Sequence, residues 1–389
     1  MQNLSRWIEL CESRGYHWIA KRLSGNDTGL TGSHVSGMYL PEKFFRKCFP
    51  KIVTHERLNP KESFTEVKFP QFELKLSGVT ATYYNNKHLT TNGTRDEFRL
   101  TKWEGRKSPV QDPENTGALL LLAFLDGYAN IWICQNPDEE AEAEGWIGSP
   151  VEPKSPVFSW SESSEADYVE TLEIPDEWRI AFPTGLQIFE LAELLCQRPG
   201  PQKTPDEHLL RLRELEFKIF KNVENSHILP KISSGFLDVD SFLSLANSVT
   251  NRRKSRSGKS LELGLEHIFR SEEVLFESQP ETENKKRPDF IFPSIESYHN
   301  APTPTNNCAI LAAKTCCKDR WRQVADEADK LTIKHLFTLQ EGVSANQFTQ
   351  MQKSGVQLVI PEPNRKSFPK EIRSKLLSLT EFISFTRKL

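Results

Sequence analysis

Apolar residues recur at two different spacings along this chain, and the changes between them predict its layout. Leu4, Trp7, Ile8 and Cys11 recur at helical spacing, as do Trp18, Ile19 and Leu23 after Gly15, so residues 1–23 are expected to form an amphipathic helix. Residues 24–34 (SGNDTGLTGSH) read as a loop. Short strand-like runs follow at 72–76, 79–84, 97–100, 119–124 and 130–134, separated by turn residues such as Ser77-Gly78 and Asn92-Gly93. Short strands at regular spacing predict a small β-barrel. The longest apolar run, Ala118 to Leu125, suits a strand or a core helix and falls far short of the ~18 residues of a membrane span.

Between 137 and 170 the texture changes. PDEEAEAEG is acidic, and SPVEPKSPVFSWSESSEADYVE is rich in Pro, Ser and Glu, so this stretch is expected to be an exposed linker. Helical patterns then cover 184–196, 204–223 and 260–269. Strands follow at 289–292, 308–314, 335–339 and 356–360, with a helix at 318–331 between the second and third of them. Helices alternating with buried strands predict an α/β unit. The expected organisation is two domains, 1–172 (with the acidic linker at its end) and 173–389.

Charge qualifies this picture without redirecting it. The 389 residues hold 50 Lys+Arg against 53 Asp+Glu, a formal net charge of −3, which excludes a histone-like basic chain. Neither half carries a large positive excess, so a nucleic-acid face has to be local. Seven scattered cysteines, an odd number, suggest reduced thiols in a cytoplasm. Glu9 and Glu12 interrupt the first apolar stretch, unlike a secretory leader.

The chemistry concentrates in Pro288-Asp289-Phe290-Ile291-Phe292, Ala309-Ile310-Leu311-Ala312-Ala313-Lys314 and the later Glu327. Asp289 opens one short apolar strand and Lys314 closes another. Pairing of those strands would put both polar ends at one edge of a sheet. Glu327 follows Lys314 by thirteen residues, about two and a half turns into the expected helix, and can point back at the same edge. Two carboxylates can hold Mg²⁺ with help from a substrate phosphate, and a lysine beside them adds a compact positive charge. That combination suits phosphodiester hydrolysis. Taken alone, Pro-Asp and a strand-end lysine equally describe a turn and a surface cation.

The surroundings tip the balance. Lys314-Thr-Cys-Cys-Lys-Asp-Arg-Trp-Arg-Gln323, with Glu327-Ala-Asp-Lys330 after it, resembles the catalytic segment of the EcoRII-type restriction endonucleases, and so does Arg256-Ser-Gly-Lys-Ser-Leu-Glu-Leu-Gly-Leu-Glu-His-Ile-Phe269. These belong to the PD-(D/E)XK nucleases, in the variant whose second carboxylate has moved to the following helix. The departure is visible here, since Ala312 stands two residues before Lys314. The resemblance implies that Asp289, Lys314 and Glu327 are catalytic, with Asp289 and Glu327 as metal ligands. It adds Glu262 as an auxiliary acid, with Glu266 as the alternative.

Lys318, Asp319 and Arg320 follow the lysine's strand, with Arg322 just beyond. Arginine can bond bidentately to guanine, and aspartate can accept from cytosine N4. The resemblance likewise implies that this segment reads a CC/GG-containing palindrome, CCWGG-like, and that a central base flips out against pocket walls for which Arg213 and Tyr298 are candidates. Arg252 and Arg256 lie in a basic run suited to phosphate contacts. In the first half, residues 26–34 with Met38-Tyr-Leu-Pro41 are similar to the start of the family's N-terminal domain, a DNA-binding β-pseudobarrel shared with a class of plant transcription factors. That domain grips DNA with two loop arms, here 25–34 (Thr31, His34) and 94–102 (Arg95, Arg99, Lys102).

A phosphate-binding loop is excluded, because Arg253 stands where Gly258-Lys259-Ser260 would need a preceding glycine. The expectation is therefore an α/β nuclease domain of the PD-(D/E)XK kind behind a β-pseudobarrel. It would be a Mg²⁺-dependent Type II enzyme that cuts double-stranded DNA as a homodimer, with an N-terminal domain that binds effector DNA and restrains the nuclease. The alternative is a two-domain DNA-binding regulator whose nuclease fold is inactive. A regulator would have no reason to keep Glu262, Asp289, Lys314 and Glu327 together.

Overall fold

The structure is a computed structural model and describes residues 3–32, 37–159, 174–196 and 204–389. His34 and residues 160–170 of the expected linker lie outside the described residues.

The first helix is shorter than its periodicity suggests. Asn3 caps it by accepting from the Arg6 amide, and it runs over Leu4–Ser13 with Leu4, Trp7, Ile8 and Cys11 buried. Gly15 then takes a left-handed φ of +67°, a conformation open to glycine at no steric cost. His17–Arg22 continues as a strand, not a helix, because it pairs along its whole length with the apolar strand Leu119–Leu125. Tertiary pairing overrides local periodicity here.

Leu119–Leu125 turns back on Tyr128–Ile133, which lies parallel to Glu66–Phe69, and Leu74–Leu76 and Val157–Phe158 form the two edges. A second, four-stranded antiparallel sheet runs Met38–Tyr39, Glu97–Thr101, Thr80–Tyr84, Lys61–Ser63. One face of the first sheet and the second sheet share a core that includes Ile19, Phe45, Phe49, Phe98, Leu120 and Ile131. This is the expected barrel-like unit. Its outer face is covered by the first helix together with Pro137–Ile147. The expected linker is thus corrected for its first part. Asn136 caps a helix that the acidic run fills, with Asp138, Glu139 and Glu140 in the first turn where the helix dipole favours them. Trp146 packs onto Trp18, and its indole donates to Glu12.

The C-terminal part is a six-stranded mixed sheet. Glu277–Ser278, Phe290–Phe292 and Ala309–Lys314 pair antiparallel, then Lys334–Thr338, Val356–Ile360 and Leu377–Ser378 continue parallel. Alternate residues of Ala309–Lys314 serve the two layers. Leu311 packs under the long helices Pro205–Ser234 and Val239–Ser271, whereas Ala312 packs against Trp321–Ala325 and Ala345–Lys353. Both long helices exceed the expected 204–223 and 260–269. Their far ends form a projecting hairpin with exposed Leu229, Ile232, Leu237, Val239 and Phe242. No described helix is long and apolar enough to cross a membrane.

Candidate active site and DNA interface

The antiparallel register Phe290↔Leu311 sets Asp289 across from Ala312. The Ala313 amide donates to Asp289 Oδ2 at 2.7 Å, and Lys314 Nζ donates to the same oxygen at 3.1 Å. Strand pairing therefore brings the acid and the lysine together at one sheet edge, as their positions at strand ends predict.

Glu327 reaches this edge by a different route from the expected one. The helix after Lys314 spans only Trp321–Ala325, and Glu327 sits in the turn beyond it. Ala328 next to it is buried at a left-handed φ of +49°, which ends any helical continuation. Lys286 braces the turn, donating to the Asp326 carbonyl and, at 3.2 Å, to the Asp329 carboxylate. Burial pushes the Glu327 carboxyl up to about 7. Lys314 and Lys286 oppose that rise and Asp289 adds to it, so the four groups share one electrostatic site.

Glu327 Oε2 is buried without a hydrogen-bond partner. An orphaned carboxylate oxygen beside a second carboxylate fits a divalent cation. Among the described residues no group of three or more His, Cys, Asp or Glu forms a complete protein shell, so water and phosphate oxygens would have to fill the rest. Asp289 and Glu327 are the residues that would hold it.

Glu262 lies one bridge away. Gln279 donates to Glu262 Oε2 at 3.2 Å through its side chain, and its backbone amide donates to the Asp289 carbonyl at 2.9 Å. Glu266, the alternative, is paired with Arg270 at 2.6 Å.

The expected DNA-contacting residues are placed unevenly. Arg213 and Arg256 face each other across the two long helices, and both are engaged by Glu152, a residue of the N-terminal part. Its carboxylate meets Arg213 Nη2 at 2.8 Å, Arg256 Nη2 at 2.9 Å and Ser257 Oγ at 2.8 Å. Burial works against the Glu152 charge, but the two arginines outweigh it and hold the carboxyl below its ordinary value. Arg256 also pairs with the buried Glu216 at 2.6 Å. Arg252 stacks on Phe182 at 3.9 Å.

Lys318 is 9% exposed, in a cleft it shares with Arg106, Lys107, Asp112 and Glu114 of the N-terminal part. Arg320 is exposed, and Asp319 pairs with Arg322 at 3.6 Å. Tyr298 requires a correction. It is fully buried, its hydroxyl donates to Glu283 at 2.7 Å and accepts from the Lys330 amide, and so it is a core residue with no face toward a base.

In the N-terminal part, Thr31 donates to Asn26 at 2.6 Å within the first arm. That arm starts against the C-terminal part, because the Gly25 amide donates to the Glu341 carbonyl at 2.6 Å and a Cβ at Gly25 would collide with the Ser367 carbonyl. On the second arm, Arg95 and Arg99 share Glu97 at 2.6 and 2.8 Å, and Lys102 is exposed. Glu152, Lys286 and Gln279 are the residues of these sites that the sequence does not announce. None stands in a motif.

A sheet edge carrying Asp289, Lys314 and Glu327, fed by antiparallel and then parallel strands, defines the class: a PD-(D/E)XK-type nuclease domain, here joined to a barrel-like domain. The family models divide the chain into the same two parts. Residues 12–163 match the family described as restriction endonuclease EcoRII, N-terminal, and residues 220–383 match EcoRII C terminal. The Type II restriction enzyme EcoRII of Escherichia coli is 40% identical over 398 residues, covering 99% of this chain and 97% of that one. The Type II restriction enzyme SsoII of Shigella sonnei is 23% identical over 155 residues, 37% of this chain and 50% of that one. Among solved structures, a PspGI–substrate DNA complex covers 56% of this chain and 99% of its own, at 18% identity and a TM-score of 0.43. This chain belongs to the EcoRII family of Type II restriction endonucleases, which are site-specific deoxyribonucleases.

Proposed function

We propose that this protein cuts double-stranded DNA with Mg²⁺ at a CC/GG-containing palindrome, CCWGG-like, and that its N-terminal domain restrains the cut until that domain binds a second copy of the site. The observation that carries the reading is the joint placement of Asp289, Lys314 and Glu327, one strand-end away from the Lys318–Arg320 segment. We divide the chain at 172/173.

When bound, the ion supplies charge to a phosphoryl oxygen and acidifies a water. Asp289 and Glu327 would hold it. Lys314 Nζ, held by Asp289 Oδ2, presents a positive charge to the scissile phosphate as negative charge builds there. In-line attack of a water on phosphorus would form the new P–O bond as the P–O3′ bond breaks, leaving a 5′-phosphate and a 3′-hydroxyl whose proton balances the one the water loses. Glu262, tied through Gln279 to the backbone of Asp289, is the auxiliary acid of this arrangement. Lys318, Asp319 and Arg320, with Arg322, read the G·C pairs.

Restraint is supported by what the N-terminal part covers. Glu152 occupies Arg213 and Arg256, and the cleft over Lys318 is lined from the N-terminal side. DNA cannot use these cations while they are so engaged. A palindromic target calls for two active sites related by a dyad, so the working unit is a homodimer, and the exposed apolar end of the helical hairpin offers a surface for it. Free thiols at all seven cysteines are in keeping with a cytoplasmic enzyme.

The test is incubation of the purified protein with Mg²⁺ and a plasmid carrying several CC/GG sites, with and without an effector duplex, followed by sequencing of the ends. Cuts at one palindrome, stimulated by the duplex, are expected. No cleavage under either condition would leave the inactive-regulator reading in its place.

A further inference from the structure

The segment that carries Lys318, Asp319 and Arg320 has no regular backbone pairing of its own. It leaves the strand Ala309–Lys314 and enters the short helix Trp321–Ala325, and its amides need other acceptors. The Cys317 and Lys318 amides find theirs on one side chain that follows the neighbouring strand, while the Arg320 amide closes a turn onto the Cys317 carbonyl at 3.1 Å. Gln340 lies two residues beyond Lys334–Thr338 and is 1% exposed. Its Oε1 accepts from the Cys317 amide and the Lys318 amide at 3.0 Å each, and from Cys316 Sγ at 3.0 Å. Its Nε2 donates to the Gly342 carbonyl at 2.8 Å, which fixes the orientation of the amide group. Its own backbone amide donates to Thr338 Oγ1, and Thr338 Oγ1 donates to the Thr315 carbonyl at 3.3 Å. Residues 315–318 are thus held from beneath by two side chains of one strand end.

We propose that Gln340 is a positioning residue for sequence reading: it sets the height and angle of the 315–320 segment relative to the hydrolytic edge, so that Lys318 and Arg320 meet base edges when Lys314 meets the phosphate. The inference rests on the reading of Lys318–Arg320 as base-contacting. A glutamine is the side chain that fits. Asparagine is one methylene short, glutamate has no donor for the Gly342 carbonyl, and methionine has the length but leaves the Cys317 and Lys318 amides without an acceptor. Bidentate contacts tolerate only about 0.5 Å of misplacement. A loosened loop therefore costs discrimination between sites before it costs chemistry, because Asp289 and Lys314 are fixed by strand pairing.

The same glutamine meets the N-terminal part. Gly117 sits at φ +87° with its Cα so close that a Cβ would lie 2.5 Å from Gln340 Cδ, and its carbonyl accepts from Cys316 Sγ at 3.4 Å. The support of the reading loop is thereby also the floor on which the N-terminal domain rests.

The test uses the full chain with effector duplex and compares Gln340→Met with wild type. Single-turnover cleavage is measured against DNA concentration, on the cognate palindrome and on sites with one G·C pair replaced. The expected result is a rise of about tenfold in the DNA concentration for half-maximal rate on the cognate site and a fall of about tenfold in the cognate-to-altered ratio. The rate at saturating cognate DNA should stay within about threefold. An unchanged ratio in a folded Gln340→Met overturns the proposal, as does an equal loss of saturating rate and of ratio. Should Gln340→Met not fold, Thr338→Val carries the test in the same assay, where a fall in the ratio at preserved saturating rate supports the proposal and an unchanged ratio overturns it. Lys318→Ala and Arg320→Ala separate the two layers. If neither lowers the ratio, the base-contact reading itself falls; if they do and Gln340→Met does not, only the role of Gln340 falls.

Discussion

Two clusters of charge in the C-terminal part have opposite character. At the hydrolytic edge, charge is incompletely matched: Glu327 has a buried oxygen with no partner, and its carboxyl is pushed up to about 7. Between the long helices each charge has a partner: Arg213 and Arg256 have Glu152 and Glu216, and Ser257 and Ser260 complete the network, although burial still holds the Glu216 carboxyl above its ordinary value. Leaving a buried polar group unpaired costs about 1–3 kcal/mol, more for a charged one, so the first cluster is built for something that arrives. The second already has what it needs, but it takes one member, Glu152, from the other part of the chain. On the proposed reading, an unmatched site waits for a ligand, and a site matched from outside its own domain is held by that domain.

The contrast can be broken at its sharpest point first. Asp289→Ala removes both the acceptor of Lys314 Nζ and a proposed metal ligand. Cleavage in Mg²⁺ should fall by about a thousandfold or more, while site-specific DNA binding measured with Ca²⁺ in place of Mg²⁺ persists. Cleavage by this variant at the wild-type rate would remove Asp289 from the reaction. Next in size is Glu152→Gln. Arg213 then loses its carboxylate, Arg256 retains only Glu216, and the closed arrangement loses about 2–3 kcal/mol, which is roughly 30- to 150-fold in its population relative to an open one. Cleavage without effector duplex should rise by about tenfold or more, and cleavage with effector should change little. If the two proteins respond to effector alike, the contact does not hold the nuclease.

How much of this was legible in the sequence follows the same division. The edge was legible because it is built from local signals. Strands at 290–292 and 309–314 end in Asp289 and Lys314, and the register between them needs only two neighbouring apolar runs. Helical spacing describes only half of the route that brings Glu327 to the edge. Trp321, Val324, Ala328 and Leu331 have helical spacing, yet the helix stops at Ala325, because Ala328 turns left-handed and Lys286 takes the Asp326 carbonyl. The side chain arrives at the edge from a turn. Tyr298 looked like a pocket wall because aromatics stack on bases, but a hydroxyl with two partners and no exposure belongs to a core. Glu152 could not be read at all. It lies in a Pro- and Ser-rich stretch that looks like linker, and its partners are 61 and 104 residues away. Matched charge across domains leaves no periodicity behind.

The smallest of the expected effects bears on the unmatched side of the comparison and is one of stability. Burial is the main cause of the raised Glu327 value, with Asp289 adding to it and Lys314 and Lys286 opposing, so in the metal-free protein the neutral acid is the favoured form. A carboxyl whose folded value lies above its unfolded one binds its proton more tightly in the folded state. Its stabilising contribution is therefore complete below the ordinary value of 4.5 and is lost as pH rises through about 7. Across that window the metal-free protein should lose on the order of 2 kcal/mol relative to Glu327→Gln, whose amide does not titrate, after allowance for solvent at a half-buried site. Urea denaturation of both proteins in EDTA at pH 5 and pH 8 measures this directly. A divalent ion at Asp289 and Glu327 needs the ionised carboxylate, so added Mg²⁺ should offset the loss at pH 8 in wild type and do less for Glu327→Gln. If the two proteins keep the same difference in stability at both pH values, Glu327 does not change ionisation on folding in this range, and the edge is less unmatched than its geometry indicates.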